Sequence, residues 1–146
     1  MAVILLVNGP NLNLLGSRET DIYGKTTLPE IVKSLEAICQ ARKVELKTFQ
    51  SNSEGALIDF LHTWNQKADY AIVNGASLTH TSVALRDALV AVQIPFVEVH
   101  LSNVFKREPF RHLSYLSDVA LGVMSGFGAQ VYELALQFLL KKIESK

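Results

Sequence analysis

The chain has 146 residues, of which 49% are hydrophobic and 19% charged, a balance typical of a globular domain and not of a disordered segment. Fourteen basic residues balance fourteen acidic ones, so no general field attracts nucleic acid or an anionic membrane. The one cysteine, Cys39, cannot form an internal disulfide, which favours a reducing compartment. We therefore expect a cytoplasmic protein with a single domain over 1–146, which must bind any anionic ligand through local contacts.

The first predicted element is a buried strand over residues 3–7, which are all apolar. The run ends at Asn8, too soon for a signal peptide or a membrane span. A loop over residues 8–24 follows, with the sequence NGPNLNLLGSRETDIYG. Its glycines, proline and asparagines argue against helix or strand, and its length exceeds the usual connection in a compact domain. Such a loop is typical of a binding loop or a lid.

Within this loop, Arg18 lies five residues before Tyr23. Keeping a tyrosine ionised at pH 7 costs about 4 kcal/mol. One cation about 4 Å away, at an effective dielectric constant of about 20, contributes about 4 kcal/mol. A close arginine can therefore make Tyr23 a phenolate base. The alternative is that Arg18 is a solvated charge and Tyr23 a packing residue that anchors the loop.

The remaining elements alternate between helices and strands. Thr27 and Glu30 form a capping-box pattern before a helix with apolar positions spaced three and four apart. In chain order we predict a helix at 28–41, a strand at 44–48, a helix at 54–66, a strand at 70–73, a helix that starts at 79–82 and continues through 92, a strand at 96–100, an irregular basic segment at 101–117, a strand at 119–124 and a helix at 129–143.

This alternation predicts an α/β domain with a five-stranded parallel sheet between two layers of helices. Right-handed crossovers make the strand order 2-1-3-4-5, a flavodoxin-like three-layer sandwich, the first choice. Ligands of such sheets bind outside the carboxyl ends of the strands. The residues expected there are 8–11 after the first strand, 74–80 after the third and 100–102 after the fourth.

Two polar residues of the fourth strand, Glu98 and His100, are two positions apart and so point to the same side. A glutamate in this position can orient the imidazole and favour its protonated form. The chain has no P-loop, no dinucleotide fingerprint, and neither clustered cysteines nor a close histidine pair to bind a metal. Because Ser102 lies close to His100 in the sequence, a serine hydrolase that uses this pair remains an alternative.

Four sequence blocks together resemble type II 3-dehydroquinate dehydratases. They are NGPNLNLLG at 8–16 with Arg18 and Tyr23, THTSVALRD at 79–87, EVHLSN at 98–103 and FRH at 110–112. The resemblance spans nearly the whole chain: the blocks occur in the same order as in the family, and the chain has the length typical of its members. Two positions depart from it: NGASL at 74–78 replaces an Asn-Pro turn that is common in the family, and Phe105 replaces a common histidine. The first change predicts a looser turn at Asn74.

The resemblance implies removal of water from 3-dehydroquinate by anti elimination through an enolate, with no metal or cofactor. Tyr23 is implied as the base beside the ketone, and Arg18 as the cation that favours its ionised form. Asn11 is implied to hold a water that stabilises the enolate oxygen. His100 is implied as the acid that protonates the departing hydroxyl, and Glu98 as its orienting partner. The residue chemistry agrees, since an enolate elimination needs a base, hydrogen-bond donors and an acid.

By the same resemblance, the substrate is bound by Asn74, His80, Leu101, Ser102 and Arg111. Asp87 is implied to reach the site from a neighbouring subunit of a homododecamer, a tetramer of trimers. The pathway implied is shikimate biosynthesis of chorismate and aromatic amino acids, with quinate breakdown as an alternative use of the same reaction. A non-catalytic module that binds small anions is a further alternative.

Overall fold

The computed structural model describes residues 1–146. A short helix lies in the loop after the first strand, and four longer helices cover the sheet. The elements in chain order are β1 (Val3–Asn8), α1 (Thr20–Tyr23), α2 (Leu28–Ala41), β2 (Glu45–Gln50), α3 (Glu54–Thr63), β3 (Tyr70–Asn74), α4 (Val83–Val92), β4 (Phe96–His100), β5 (Gly122–Ser125) and α5 (Gln130–Glu144).

The five strands form one parallel sheet in the order β2-β1-β3-β4-β5, which confirms the predicted flavodoxin-like topology. In the register of β1 and β3, Asn8 lies opposite Asn74, so the carboxyl ends of these two strands meet. One residue after the end of β1, the main chain still pairs with β3, because Gly9 N donates to Asn74 O at 2.8 Å. The register therefore brings the polar ends of the two strands together at one edge.

Alternate residues of β1 face opposite layers of the core. Ile4 and Leu6 pack with α2 and α5, whereas Val3, Leu5 and Val7 pack with α3 and α4. The period of two residues in a strand produces this division, and it explains why every residue of β1 is buried. A sheet covered on both faces leaves only its ends free to bind a ligand.

The helix starts follow from their caps. Thr27 and Glu30 form the expected capping box at α2, and the Ser82 hydroxyl accepts from Leu85 N at the start of α4. The end of α3 differs from the prediction, because the helix stops at Thr63 and the chain reverses at Gln66 with φ 62°. No helix in the structure combines the length and the apolar character that a membrane crossing requires.

Two further stretches differ from their predicted conformation. The loop over 8–24 contains a 3-10 turn at Leu12–Leu14 and the one-turn helix α1, although no helix was predicted there. Strand β5 begins at Gly122 and not at 119, because Ser117–Val119 form a 3-10 turn in which Val119 N donates to Leu116 O. Short-range hydrogen bonds set both conformations, and they leave little trace in hydrophobic periodicity.

Candidate active site

A small cavity of about 40 Å³ lies at the carboxyl ends of β3 and β4, beneath the loop that carries α1. It collects side chains from three stretches of the chain, over residues 12–23, 74–80 and 100–111. Its lining residues are Leu12, Arg18, Tyr23, Asn74, Ala76, His80, His100, Leu101, Ser102, Val104, Arg107 and Arg111. The structure thus brings together predicted catalytic residues from the loop and from β4 with most of the predicted substrate-binding residues.

Glu98 lies behind His100, and both side chains are buried, at 1% and 6% exposure. His100 Nε2 donates a hydrogen bond to Glu98 Oε2, as their positions on one side of β4 predicted. Burial raises the pKa of the Glu98 carboxyl, but hydrogen bonds from His100, Ser117 and Ser114 outweigh it and hold the pKa below its usual 4.5. Glu98 is therefore an ionised acceptor, and Nδ1 of His100 is the nitrogen left for a ligand.

His80 faces His100 across the cavity, with the ring centroids 6.2 Å apart. Its Nδ1 donates to the carbonyl oxygen of Leu113 at 2.7 Å, which leaves Nε2 for a ligand. Burial lowers the pKa of His80 below its usual 6.5, although the bond to Leu113 opposes this in part. His80 therefore favours the neutral ring, whereas the ring of His100 is hydrogen-bonded to the Glu98 carboxylate.

The Tyr23 hydroxyl accepts a hydrogen bond from Arg107 Nη1 at 2.6 Å. Arg18 lies over the face of the same ring, with its Cζ 4.6 Å from the ring centroid, and not at the hydroxyl. Arg18 Nε is buried without a hydrogen-bond partner. Two guanidinium groups thus flank Tyr23, and the one that touches its oxygen comes from the segment after β4.

Asn74 is oriented by its neighbours on both sides of the amide. Its Oδ1 accepts from Ala76 N at 3.0 Å, and its Nδ2 donates to the Tyr132 hydroxyl at 2.9 Å. That hydroxyl donates in turn to Asn8 Oδ1 at 2.6 Å, and burial raises the pKa of Tyr132. These hydrogen bonds fix Asn74 with its second amide hydrogen free, and the bond from Ala76 N closes the turn that follows β3.

The other predicted residues lie in different settings. Leu101 is buried in the cavity wall, and Ser102 Oγ accepts from Arg107 Nη1 at 3.4 Å. No hydrogen bond joins Ser102 to His100, so the pair that a serine hydrolase needs is absent. Arg111 lines the cavity and donates from Nε to Glu108 Oε1 at 3.0 Å.

Besides Glu98, which lies behind His100, two predicted residues do not line the cavity. Asn11 is exposed at φ 70°, and its main-chain N–H donates to Asn52 Oδ1 at 2.9 Å. Asp87 is exposed on α4 and does not line this chain's own cavity. A contribution from either one therefore requires loop movement or a second subunit. The structure also has no group of three or more His, Cys, Asp or Glu side chains that could ligate a metal ion.

Sequence reasoning gave no role to Arg107, Tyr132, Ser114 or Ser117. Arg107 is separated from Tyr23 by 84 positions, and Tyr132 from Asn8 by 124, so spacing carries no signal for either contact. The basic segment after β4 was a partial signal for Arg107, because it leaves the sheet at the ligand-binding edge.

Comparisons with known proteins agree with this geometry. The family model described as Dehydroquinase class II matches residues 2–140. A 3-dehydroquinate dehydratase from Pectobacterium carotovorum is 59% identical over 142 residues, 97% of this chain and 95% of the relative. The crystal structure of a type II dehydroquinase from Propionibacterium acnes matches with a TM-score of 0.91 and 36% identity, and covers 97% of each chain. A type II dehydroquinase structure from Butyrivibrio crossotus also has a TM-score of 0.91, with 41% identity over 94% of this chain and 97% of the other. By sequence and by structure, this chain belongs to the class II dehydroquinase family.

Proposed function

We propose that this protein is a hydro-lyase that removes water from 3-dehydroquinate to give 3-dehydroshikimate, as a step of the shikimate pathway. The observation that carries the proposal is one cavity that holds a tyrosine hydroxyl against a guanidinium and an imidazole against a buried carboxylate. These are a candidate base and a candidate acid, the two groups that an elimination requires. The matches to named 3-dehydroquinate dehydratases support the substrate.

In the first step, Tyr23 removes the proton beside the ketone. A phenol is a weak base unless it is ionised, and the hydrogen bond from Arg107 favours the phenolate. Arg18 adds a second positive charge at the ring face. The developing enolate then needs donors, and the unpaired Nε of Arg18 can supply one. Asn11 joins through a water when the loop rearranges.

In the second step, His100 protonates the departing hydroxyl from Nδ1. Its other nitrogen rests on Glu98, whose negative charge favours the imidazolium form. The remaining substrate contacts come from the free amide hydrogen of Asn74, from Nε2 of neutral His80, and from Leu101, Ser102 and Arg111. Anti elimination follows if the base and the acid act on opposite faces of the substrate ring.

Substrate entry requires the loop to open. The cavity of about 40 Å³ is far smaller than the roughly 300–1,000 Å³ of typical ligand pockets. A larger outer cavity of about 640 Å³ adjoins it, and Leu101, Ser102 and Arg107 line both. Glu19, Asp21 and Ile22 form part of its wall. Movement of α1 would therefore join the two cavities into one that can admit a substrate.

The direct test is to mix purified protein with 3-dehydroquinate and follow the absorbance of the enone product. Formation of 3-dehydroshikimate without added metal or cofactor supports the proposal. Binding of the substrate without any turnover would instead favour a module that only binds small anions.

Arg107→Gln should lower kcat by about 10- to 100-fold, because a hydrogen bond to a charged oxygen contributes about 1.5–3 kcal/mol. Activity should return in part as the pH is raised, since hydroxide then helps to ionise the phenol. Steady-state kinetics across pH measures both effects. Arg42→Gln is the matched control, because this guanidinium pairs with Glu144 between the ends of α2 and α5. Full activity in Arg107→Gln would contradict the assigned role.

We also propose that the protein acts as a homododecamer, a tetramer of trimers, in which Asp87 completes the site of a neighbouring subunit. The exposed apolar side chains beside the open edge of the sheet support this, because Leu121, Val123 and Phe127 are 45%, 47% and 64% exposed. Asp87 also lies on the exposed face of α4, where a second subunit can contact it.

Mixed subunits can test the role of Asp87. Asp87→Ala and Tyr23→Phe should each be nearly inactive alone. After joint refolding they should regain activity, since some sites then combine an intact Tyr23 with an intact Asp87 from the neighbouring subunit. Light scattering gives the assembly size, and a mixture of Tyr23→Phe with His100→Ala, two residues of one chain's cavity, is the control that should stay inactive. A monomer, or no recovery in the first mixture, would contradict the proposal.

A further inference from the structure

The segment over residues 113–117, here called the strap, touches both histidine systems of the site. The carbonyl oxygen of Leu113 accepts from His80 Nδ1, and Tyr115 N donates to Thr79 O at 2.9 Å. Ser114 and Ser117 both donate to the Glu98 carboxylate. The strap therefore forms hydrogen bonds both to His80 and to Glu98, the partner of His100.

The Glu98 carboxylate accepts hydrogen bonds from three side chains, Ser114, Ser117 and His100. Ser117 Oγ donates to Oε1 at 2.7 Å, and Ser114 Oγ lies 3.1 Å from both oxygens. His100 supplies the remaining donor at Oε2. A buried carboxyl in an apolar strand would otherwise favour its neutral form, because burial penalises the charge. The serines thus oppose protonation of Glu98.

The orientation of the Ser114 hydroxyl is fixed. Its oxygen accepts from Leu116 N at 3.0 Å and from Ser117 N at 3.1 Å, so its single hydrogen is left for Glu98. Arg86 holds the strap in place, since its Nη1 donates to Tyr115 O at 2.9 Å. A hydroxyl held in this way can only act as a donor toward the carboxylate.

We propose that Ser114 and Ser117 are positioning residues that keep Glu98 ionised, so that a proton taken up by the Glu98–His100 pair resides on the ring as imidazolium. If the carboxyl held that proton, it would donate to Nε2 and leave a neutral ring. A neutral imidazole is a far weaker acid toward a hydroxyl leaving group than an imidazolium. The kinetic consequence rests on the proposed dehydratase function, whereas the position of the proton does not.

The charges around the pair make this control necessary. The other ionisable side chains that line the cavity are His80, Tyr23, Arg18, Arg107 and Arg111. Three of them are permanent cations, which oppose a further positive charge on His100. The strap itself contributes no charge, so its influence on the pair passes through the two hydroxyls.

The position of the proton can be measured by solid-state 15N NMR on protein labelled at histidine. The chain has only four histidines, and single substitutions such as His62→Gln assign the signals. In wild-type protein acidified until the Glu98–His100 pair has taken up one proton, the His100 ring should show two protonated nitrogens. In Ser114→Ala/Ser117→Ala, His100 should instead show an unprotonated Nε2, while Nδ1 of His80 stays protonated because Leu113 still accepts from it.

Kinetics provides the second readout. Ser117→Ala should lower kcat about tenfold with KM unchanged, because it removes one charge-assisted hydrogen bond to Glu98. The double variant Ser114→Ala/Ser117→Ala should lower kcat further. Ser117→Thr keeps the hydroxyl and should restore most of kcat. Ser53→Ala is the matched control, since it removes a helix-capping serine of α3 and leaves the strap intact.

Several results would overturn the proposal. A neutral His100 ring in the wild type, or two protonated nitrogens in the folded double variant, would remove its basis whatever the substrate is. If the double variant does not fold, the 15N signals of His100 in the single variant Ser117→Ala test the proposal in its place. Unchanged kcat in Ser117→Ala, or an equal loss in Ser53→Ala, would assign the serines a purely structural role.

Discussion

Tyr23→Phe is expected to lower kcat for dehydration of 3-dehydroquinate by about 10³-fold, because a general base typically contributes about 10² to 10⁴. The substitution removes one oxygen, which accepts from Arg107 in the cavity and makes no other hydrogen bond. The ring remains, so its contact with Arg18 persists and substrate binding should change little. The expected pattern is therefore a loss in kcat with KM within a few-fold of wild type, measured from enone absorbance.

Tyr70→Phe is the matched control for this prediction. Tyr70 begins β3, whereas the cavity lies at the carboxyl end of that strand. The control should therefore keep full turnover and report any general effect of losing a phenol. Undiminished turnover in Tyr23→Phe would show that Tyr23 is not the base and would favour the alternative, in which it is a packing residue that anchors the loop.

His100→Ala is expected to lower dehydration by about 10² to 10⁴-fold, the usual contribution of a general acid. It should also separate the two steps. Loss of the acid blocks departure of the hydroxyl but leaves Tyr23 and the two guanidinium groups in place. In heavy water, the variant should therefore still exchange the proton beside the ketone, whereas Tyr23→Phe should lose exchange and dehydration together. Mass spectrometry of recovered 3-dehydroquinate measures the exchange.

His62→Ala is the control here, because His62 is exposed on α3 and away from the cavity. It should dehydrate and exchange at wild-type rates. If His100→Ala loses exchange as completely as dehydration, the division between a tyrosine base and a histidine acid is wrong, and His100 must also act in the first step.

Much of the fold was predictable because local patterns specify it. The capping box at Thr27 and Glu30 marked the start of α2, and the apolar run at 3–7 marked a strand covered on both faces. Strand order followed from the handedness of crossovers, and the topology then predicted that Asn74 and His100 meet at one edge. The motif blocks predicted the family in the same way, since they require no knowledge of contacts.

The partner of the Tyr23 oxygen could not be predicted in this way. Spacing within the loop favoured Arg18, but this residue lies on the ring face, and Arg107 reaches the hydroxyl from the segment after β4. That segment is irregular, so no period of two or 3.6 residues predicts where its side chains point. A contact between two irregular segments depends on how each packs on the sheet.

The sequence by itself thus determined the sheet, its order, the edge that carries the chemistry and the family. Tertiary structure alone decided which hydrogen-bond partners hold the side chains of the candidate site: Arg107 on Tyr23, the two serines on Glu98, and Tyr132 on Asn74. The physical reason is range. Helix and strand patterns arise from neighbours a few residues apart, whereas these hydrogen bonds join positions from 16 to 84 residues apart, which only the packed fold brings within about 3 Å.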